Sequence, residues 1–328
     1  KQLATMDLNN FFDNLVAELN AVGDNPSPQH FTPPDASDFD LPIYDGQIIP
    51  DMPMKDYLEL PQIGSTTFSA IEQSELSMWH QMHKKNETKP HLTTGTVIHD
   101  YIEWWAAGKS LEEYFNGIRT VPNYSRASLD GVAMEILYYA TILGISPNIP
   151  DKIADRKLLA DSLRADCESK CTLVSEKDAE LIRGIAAEMQ RRHEKTGFLD
   201  WLRYAKSEWT FIYKHFKVRP DLLGRSLIVS VKTCAKIENA AKIANYDYGI
   251  KEAYYRHVIE SVTGVPHNTA FLFFSSVTCE SRLIFVSPKT AQYYDKIVKE
   301  LVVKANRCLD NNKFRGYEAN LEYGVEII

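Results

Sequence analysis

One predicted β-hairpin constrains this chain more than any other part of the sequence. An Arg-Pro-Asp triplet ends at Asp221, and a Ser-Val-Lys triplet follows from Ser230 to Lys232. Leu227 to Val231 is a short, β-branched apolar run after a Gly-Arg-Ser turn, which predicts the second strand of the hairpin. Because side chains alternate along a strand, Ser230 and Lys232 point to the same face. We expect Asp221, at the end of the preceding strand, to lie beside them.

These side chains match the needs of one class of reaction. Hydrolysis of a phosphodiester with Mg²⁺ needs oxygen ligands for a hard cation and a positive charge near the attacked phosphate or water. An Asp, a second acid and a Lys two residues after that acid would meet this need. In this chain Ser230 stands in the place of the second acid. The hairpin therefore indicates a metal-nuclease site with one acid missing.

Several further blocks accompany the hairpin, and together they resemble the PD-(D/E)XK nucleases. The resemblance is strongest to the RecE (exonuclease VIII) branch, the 5′–3′ double-strand exonucleases of phage-type recombination, and covers roughly residues 41–328. The blocks run from Tyr44 to Tyr57, from Pro61 to Phe68 with Trp79, from Gly95 to His99, from Tyr248 to Tyr255, and from Cys308 to Tyr317. Each block is weak alone, and their order and spacing carry the likeness.

The resemblance implies a fold and a set of roles. It implies an α+β, restriction-endonuclease-like PD-(D/E)XK core with a central mixed β-sheet flanked by helices. It implies that Asp221 binds Mg²⁺ or Mn²⁺ and that His99 assists as a metal ligand. Lys232 would position the attacking water or stabilise the charge that develops on the phosphate. Ser230 would occupy the remaining catalytic position.

Two positions depart from the family pattern. Ser230 replaces an acid, and the loss of a metal ligand could lower the rate by about a thousandfold or more. Lys251 replaces a glutamine on a helix where Tyr255 lies four residues further along the same face, and the resemblance implies that both contact the substrate. Glu103 and Glu208 are the acids that we expect to be best placed to compensate. If only the acid is missing, Ser230→Asp should raise Mg²⁺-dependent digestion.

The function that the resemblance implies is Mg²⁺-dependent 5′–3′ degradation of one strand of linear double-stranded DNA during recombination. Such enzymes form tetrameric rings and work beside a single-strand annealing recombinase. Two alternatives stay open. One is an inactive pseudonuclease that binds DNA or a partner protein. The other is a sequence-specific endonuclease, although the chain has no distinct recognition domain.

The composition limits these alternatives and predicts where the protein works. A net charge of −7 argues against a general basic coat, but it is compatible with a locally basic groove. The five cysteines form an odd set and indicate free thiols in a reducing cytoplasm, bacterial or phage-encoded. No run reaches the ~18 apolar residues of a membrane span, so we expect no membrane association.

The order of segments predicts an appendage followed by one large domain. We expect an amphipathic helix within residues 1–22, a linker rich in Pro and Asp over 23–40, and the nuclease-like domain over 41–328. In that domain, apolar periodicity predicts helices first and most of the sheet in the second half. Helices are predicted at 65–83, 99–115, 129–143, 176–194, 237–259 and 290–309, and strands at 205–217, 227–233, 269–277 and 282–286.

Overall fold

The computed structural model describes residues 40–84, 94–197 and 204–316, so the predicted N-terminal helix and nearly all of the predicted linker lie outside the described residues. The described helices are α1 (Met54–Glu59), α2 (Ser65–Ser69), α3 (Glu75–His83), α4 (Thr94–Ala106), α5 (Leu111–Gly117), α6 (Leu129–Leu143), α7 (Ile153–Glu168), α8 (Glu176–Thr196), α9 (Ala240–Thr263) and α10 (Pro288–Asn311). The described strands are β1 (Gln47–Ile49), β2 (Ile118–Val121), β3 (Thr172–Ser175), β4 (Lys206–Ser207), β5 (Thr210–Tyr213), β6 (Phe216–Val218), β7 (Leu222–Leu223), β8 (Leu227–Cys234), β9 (Asn268–Ser275) and β10 (Ser281–Phe285). Short 3₁₀ turns at Ala70–Glu72 and Ile237–Asn239 precede α3 and α9.

A mixed five-stranded sheet in the order β10-β9-β8-β7-β4 forms the centre of the fold. Strands β8 and β9 are parallel, and the other neighbouring pairs are antiparallel. A parallel pair needs a long crossover connection, and α9 provides it between β8 and β9. The mixed α+β architecture agrees with the sequence-based expectation.

Two smaller sheets lie beside the central one. Strands β1, β5 and β6 form an antiparallel sheet, and β2 and β3 form a parallel pair. Helices α6 and α7 bury a separate apolar cluster against β3, which includes Ile136, Tyr139 and Leu163. This helical pair is thus packed as a satellite of the main core.

Strand β8 is buried on both faces. Val229 and Val231 pack into the apolar cluster that contains residues of α4 and α8, whereas Ile228 packs into the cluster that contains α9 and α10 residues. A strand covered on both faces is expected to be apolar throughout. Ser230 is the exception, because it is only 2% exposed and therefore needs a hydrogen-bond partner inside the protein.

The predicted strand 205–217 is wrong as a single strand. It is divided into β4, β5 and β6, and the interruptions coincide with left-handed backbone at Glu208 (φ 56°) and Lys214 (φ 52°). The alternation of Trp209, Phe211 and Tyr213 in the sequence does not reveal such interruptions. The first interruption has a chemical consequence, because it turns the Glu208 side chain toward Asp221.

Two predicted helices are also divided. The helix predicted at 65–83 is broken before α3, where the Ser74 side chain caps the backbone N–H of Ser77 at 2.9 Å. The helix predicted at 99–115 ends at Ala106, and α5 starts after a capping box of Ser110 and Glu113. The helices predicted at 129–143, 176–194, 237–259 and 290–309 agree with the structure to within a few residues. Within residues 40–84, 94–197 and 204–316, none of the helices has the length and apolar character needed to cross a bilayer.

Candidate active site

Asp221 and Lys232 are in direct contact at the β7–β8 hairpin. Lys232 Nζ lies 3.2 Å from Asp221 Oδ2, and the backbone N–H of Val231 donates to the same oxygen at 2.7 Å. Lys232 Nζ also donates to the Val231 carbonyl oxygen at 3.0 Å. One detail of the prediction needs correction, because Asp221 directly precedes β7 rather than ending a strand. The contact between the two side chains does not depend on this detail.

His99 and Glu208 complete a group of side chains around the second oxygen of Asp221. His99, in the second turn of α4, places Nδ1 3.4 Å from Asp221 Oδ1. One ligand atom from each of His99, Glu208 and Asp221 lies within 4.8 Å of the others. Two carboxylates and an imidazole are a suitable donor set for Mn²⁺, and the carboxylates also suit Mg²⁺. Of the two acids expected to compensate for Ser230, Glu208 belongs to this group, whereas Glu103 is exposed on α4.

Arg219 holds Glu208 in position. Its Nε donates to Glu208 Oε2, and its Nη1 donates to the carbonyl oxygen of Met52 at 2.6 Å. The left-handed backbone at Glu208 is uncommon for a residue with a Cβ, and such conformations concentrate at functional sites. The Arg of the Arg-Pro-Asp triplet therefore fixes an acid of the cluster rather than facing solvent.

The charges of the site act on one another. Burial acts to raise the pKa of Asp221, but Lys232 and His99 hold it well below its usual range. Burial acts to lower the pKa of His99, and the hydrogen bond and charge of Asp221 raise it overall. Burial, with the nearby Asp221 carboxylate, raises the pKa of Glu208 to about 7 despite the opposing effect of Arg219. A cation bound here would favour the ionised form of each carboxylate.

A buried acid that the sequence analysis missed lies against Ser230. The Ser230 hydroxyl donates to Glu252 Oε1 at 2.7 Å, and Glu252, on α9, is only 3% exposed. Glu252 Oε2 has no hydrogen-bond partner among the described residues. Burial raises the pKa of Glu252, while Lys232 and Ser230 act to lower it. A carboxylate therefore faces the place where the hairpin lacks one, but it comes from a different element.

The Glu252 carboxylate is costly to the fold. Burying a charged group without full pairing costs several kcal/mol, and a protein keeps such a group where it has a use. In the sequence, the one feature that could have indicated Glu252 is its place within the Tyr248 to Tyr255 block, directly after Lys251. That signal gives no information on which strand α9 covers, so only the packing of α9 on β8 identifies the acid.

The two predicted substrate-binding residues lie at the border of this cluster. Lys232 Nζ and Lys251 Nζ lie 5.4 and 5.8 Å from the centre of the Tyr248 ring, so both ammonium groups are close to the same aromatic side chain. Burial raises the pKa of Tyr255 well above its usual range, and the charges of Tyr57, Asp221 and Glu252 add to the effect. Tyr255 thus lies near both acids, whereas Lys251 is displaced to one side.

Comparison with known proteins gives a distant structural similarity. The chain matches no family model, and no curated protein is significantly similar to it. Among solved structures it is similar to the crystal structure of "Putative exonuclease" from Eubacterium rectale, with 11% sequence identity and a TM-score of 0.47. That similarity covers 80% of this chain and 88% of the other.

Proposed function

We propose that this protein is a metal-dependent nuclease of the PD-(D/E)XK type in which Glu252 takes the place of the missing second acid. The observation that carries the proposal is that Lys232 contacts Asp221 while Glu252, which contacts Ser230, is close enough to raise the pKa of Lys232. Replacing such a charged group as a whole by well-packed apolar residues is often neutral or stabilising, so fold stability does not explain why these charges are kept. The combination of two acids and a lysine is what hydrolysis of a phosphodiester requires.

Asp221, Glu208 and His99 would hold the divalent cation. Their ligand atoms are already close enough to share one ion, and Asp221 Oδ1 is the oxygen turned away from Lys232. Glu252, on α9, would supply a second negative charge near Lys232. Mg²⁺ or Mn²⁺ supplies electrostatic stabilisation of the phosphate and lowers the pKa of a bound water.

Lys232 is the residue of this chain that would act on the reacting groups. Burial acts to lower its pKa, but Asp221 and Glu252 raise it overall, so the amine stays charged. A charged ammonium at this position can orient the attacking water or stabilise negative charge on the phosphate oxygens. His99, in contact with Asp221, would keep the carboxylate oriented.

The order of the sequence blocks supports a narrower proposal. The RecE-like arrangement favours an exonuclease that degrades one strand of linear duplex DNA 5′ to 3′, as a homotetrameric ring beside a single-strand annealing recombinase. The inactive alternative rested on two departures, the lack of a second acid at Ser230 and the lysine at Lys251. The contact between Ser230 and Glu252 weakens the first reason, because an acid is present on α9.

The first experiment measures digestion of 5′-labelled and 3′-labelled linear duplex DNA with Mg²⁺, with Mn²⁺ and with EDTA. We expect metal-dependent release of short products by the parent protein and none with EDTA. Asp161→Asn, on the surface of α7, is the matched control for Asp221→Asn. Equal activity of the parent and Asp221→Asn would disprove the proposal, as would the absence of digestion with both metals.

A second experiment moves the acid back to the hairpin. The structure changes the expectation for Ser230→Asp, because this variant places a second carboxylate against Glu252, where hydroxyl and carboxylate oxygens are 2.7 Å apart. Repulsion between the two buried carboxylates should leave its activity unchanged or lower. The double variant Ser230→Asp/Glu252→Ser should be at least about tenfold more active than Glu252→Ser alone. A gain from Ser230→Asp alone would instead show that Glu252 does not serve as the second acid.

A further inference from the structure

A large polar groove runs beside the site and is not used in the chemistry described above. It has a volume of about 1100 Å³ and lies between α2 and α3 on one side and α9 and α10 on the other. The residues that line it are mainly neutral and polar, with two lysines and one acid. They include Thr66, Gln73, Gln81, Lys251, Lys289 and Tyr293.

The groove borders the site at Lys251. Lys251 lines it, and the Lys251 ammonium and the Lys232 ammonium lie over the same Tyr248 ring. A strand whose phosphate is held at Lys232 can therefore reach Lys251 by passing one aromatic side chain. Phosphates that extend past Lys251 would next approach Lys289, which is exposed at the start of α10.

The groove also offers an aromatic surface. The Tyr293 side chain is 63% exposed, and its ring lies 5.1 Å from the Tyr294 ring in an edge-to-face arrangement. An exposed tyrosine beside lysines and amide side chains is what a single strand of nucleic acid requires. The cations contact its phosphates, the aromatic ring stacks on a base, and the neutral amides tolerate any sequence.

We propose that this groove binds a single-stranded segment of nucleic acid adjacent to the phosphodiester held at Lys232, with Lys289 on a phosphate and Tyr293 stacked on a base. The inference rests on the proposed nuclease function and adds the path of the strand. Glu72, on the wall formed by α2 and α3, is the one acid among the groove's lining residues. With Lys251 and Lys289 opposite it, the groove keeps an excess of positive charge in a chain whose net charge is −7.

Binding of a 5′-fluorescein-labelled 12-nucleotide single strand, measured by anisotropy in EDTA, tests the groove without cleavage. Lys289→Ala should weaken binding and reduce the slope of log Kd against log salt concentration by about 0.7, because one phosphate contact is lost. Tyr293→Ala should weaken binding by at least about fivefold and leave that slope unchanged, because base stacking is lost. The two variants therefore have different signatures if the strand lies as proposed.

Lys170→Ala and Tyr44→Ala are the matched controls, since both side chains are exposed and lie outside the groove. They should bind the single strand like the parent protein. Unchanged binding by both groove variants would overturn the inference, as would an equal loss of affinity for a blunt 12-base-pair duplex. If the protein digests DNA but both groove variants bind the single strand normally, the groove inference is wrong and the nuclease proposal stands. If the groove variants weaken binding but the protein never digests DNA, the nuclease proposal is wrong and the groove inference stands.

Discussion

Two clusters built around an acidic side chain, Glu188 and Glu252, have opposite character in this protein. Between α8 and β10, Glu188 accepts hydrogen bonds from Arg191 at 2.7 and 2.9 Å and from the Ser281 hydroxyl at 2.6 Å. Burial acts to raise the pKa of Glu188, and these partners lower it overall. At the hairpin, Glu252 has a partner on only one oxygen, and burial raises its pKa.

We propose that this difference separates a structural acid, Glu188, from a functional one, Glu252. An acid whose oxygens are matched by guanidinium and hydroxyl groups stabilises the fold, since each charge-assisted hydrogen bond contributes about 1.5–3 kcal/mol. An acid that is buried with an open oxygen beside a lysine and another carboxylate costs stability and is retained for chemistry. The same substitution, Glu to Gln, at Glu188 and at Glu252 tests whether the two acids differ in this way.

The largest expected effect is on catalysis at Glu252. Glu252→Gln removes the charge but keeps the shape and the contact with Ser230, so the Mg²⁺-dependent rate should fall by about a hundredfold to a thousandfold. Glu188→Gln is the matched control and should digest DNA at the parent rate. Rates of digestion of linear duplex DNA measure both. Similar rates for the two variants would remove the distinction between the clusters.

The next effect is on stability at Glu188. Glu188→Gln loses its ionic hydrogen bonds with Arg191 and weakens the tie to Ser281, so the free energy of unfolding should fall by about 2 kcal/mol. Urea unfolding followed by circular dichroism gives the value. Glu252→Gln should unfold at the same or a higher urea concentration, because it removes a poorly compensated buried charge. Destabilisation of Glu252→Gln by as much as Glu188→Gln would mean that both acids are structural.

His267 is a third buried group with an unpartnered polar atom among the described residues, but its ring is neutral. It is therefore expected to affect the pH dependence of stability. His267 Nδ1 lies 2.7 Å from the Val265 carbonyl oxygen, and Nε2 has no partner among the described residues. Burial lowers the pKa of His267 to about 4, so the ring stays neutral in the folded protein. The unfolded chain, with an ordinary pKa near 6.5, binds the proton more readily.

The sign of the pH effect follows from this lowered pKa. The contribution of His267 is fully present above about pH 6.5 and is lost as the pH falls toward about 4. At pH 5 the parent protein should be about 2 kcal/mol less stable from this group than at pH 7.5. His267→Asn should show a shallower decrease in urea midpoint over that interval. Parallel curves for parent and variant would show that His267 is protonated in the folded protein as in the unfolded one.

The smallest expected effect is on the Mg²⁺ affinity of the proposed metal site, through Arg219. Arg219→Lys keeps a positive charge but cannot bond Glu208 and the Met52 carbonyl at once. We expect about a threefold to tenfold higher Mg²⁺ concentration for half-maximal digestion, with a smaller change in the maximal rate. Arg126→Lys, near Glu135 on the α6–α7 pair, is the control and should leave the Mg²⁺ requirement unchanged.

The sequence was sufficient for the parts of the site that lie on one continuous segment. Asp221 and Lys232 are separated by a tight hairpin, so strand alternation and the turn residues determine that they meet. The long helices α6, α8 and α10 follow from apolar periodicity and capping residues such as Ser128 and Ser287. The mixed sheet followed from the resemblance and from the order of apolar runs.

Tertiary structure alone decided which acids join the hairpin. The sequence offered Glu103 and Glu208 as candidates, and only the structure shows that Glu208 lies beside Asp221, at a left-handed turn between β4 and β5 of which the alternation of neighbouring side chains gives no sign. Glu252 reaches Ser230 because α9 crosses the β8 face on which Ser230 lies. The sequence indicates which face of its own strand or helix a side chain lies on, because that follows from the alternation of a strand or the periodicity of a helix. The contact between a strand and a helix 22 residues away depends on how the whole crossover packs, and no local period encodes it.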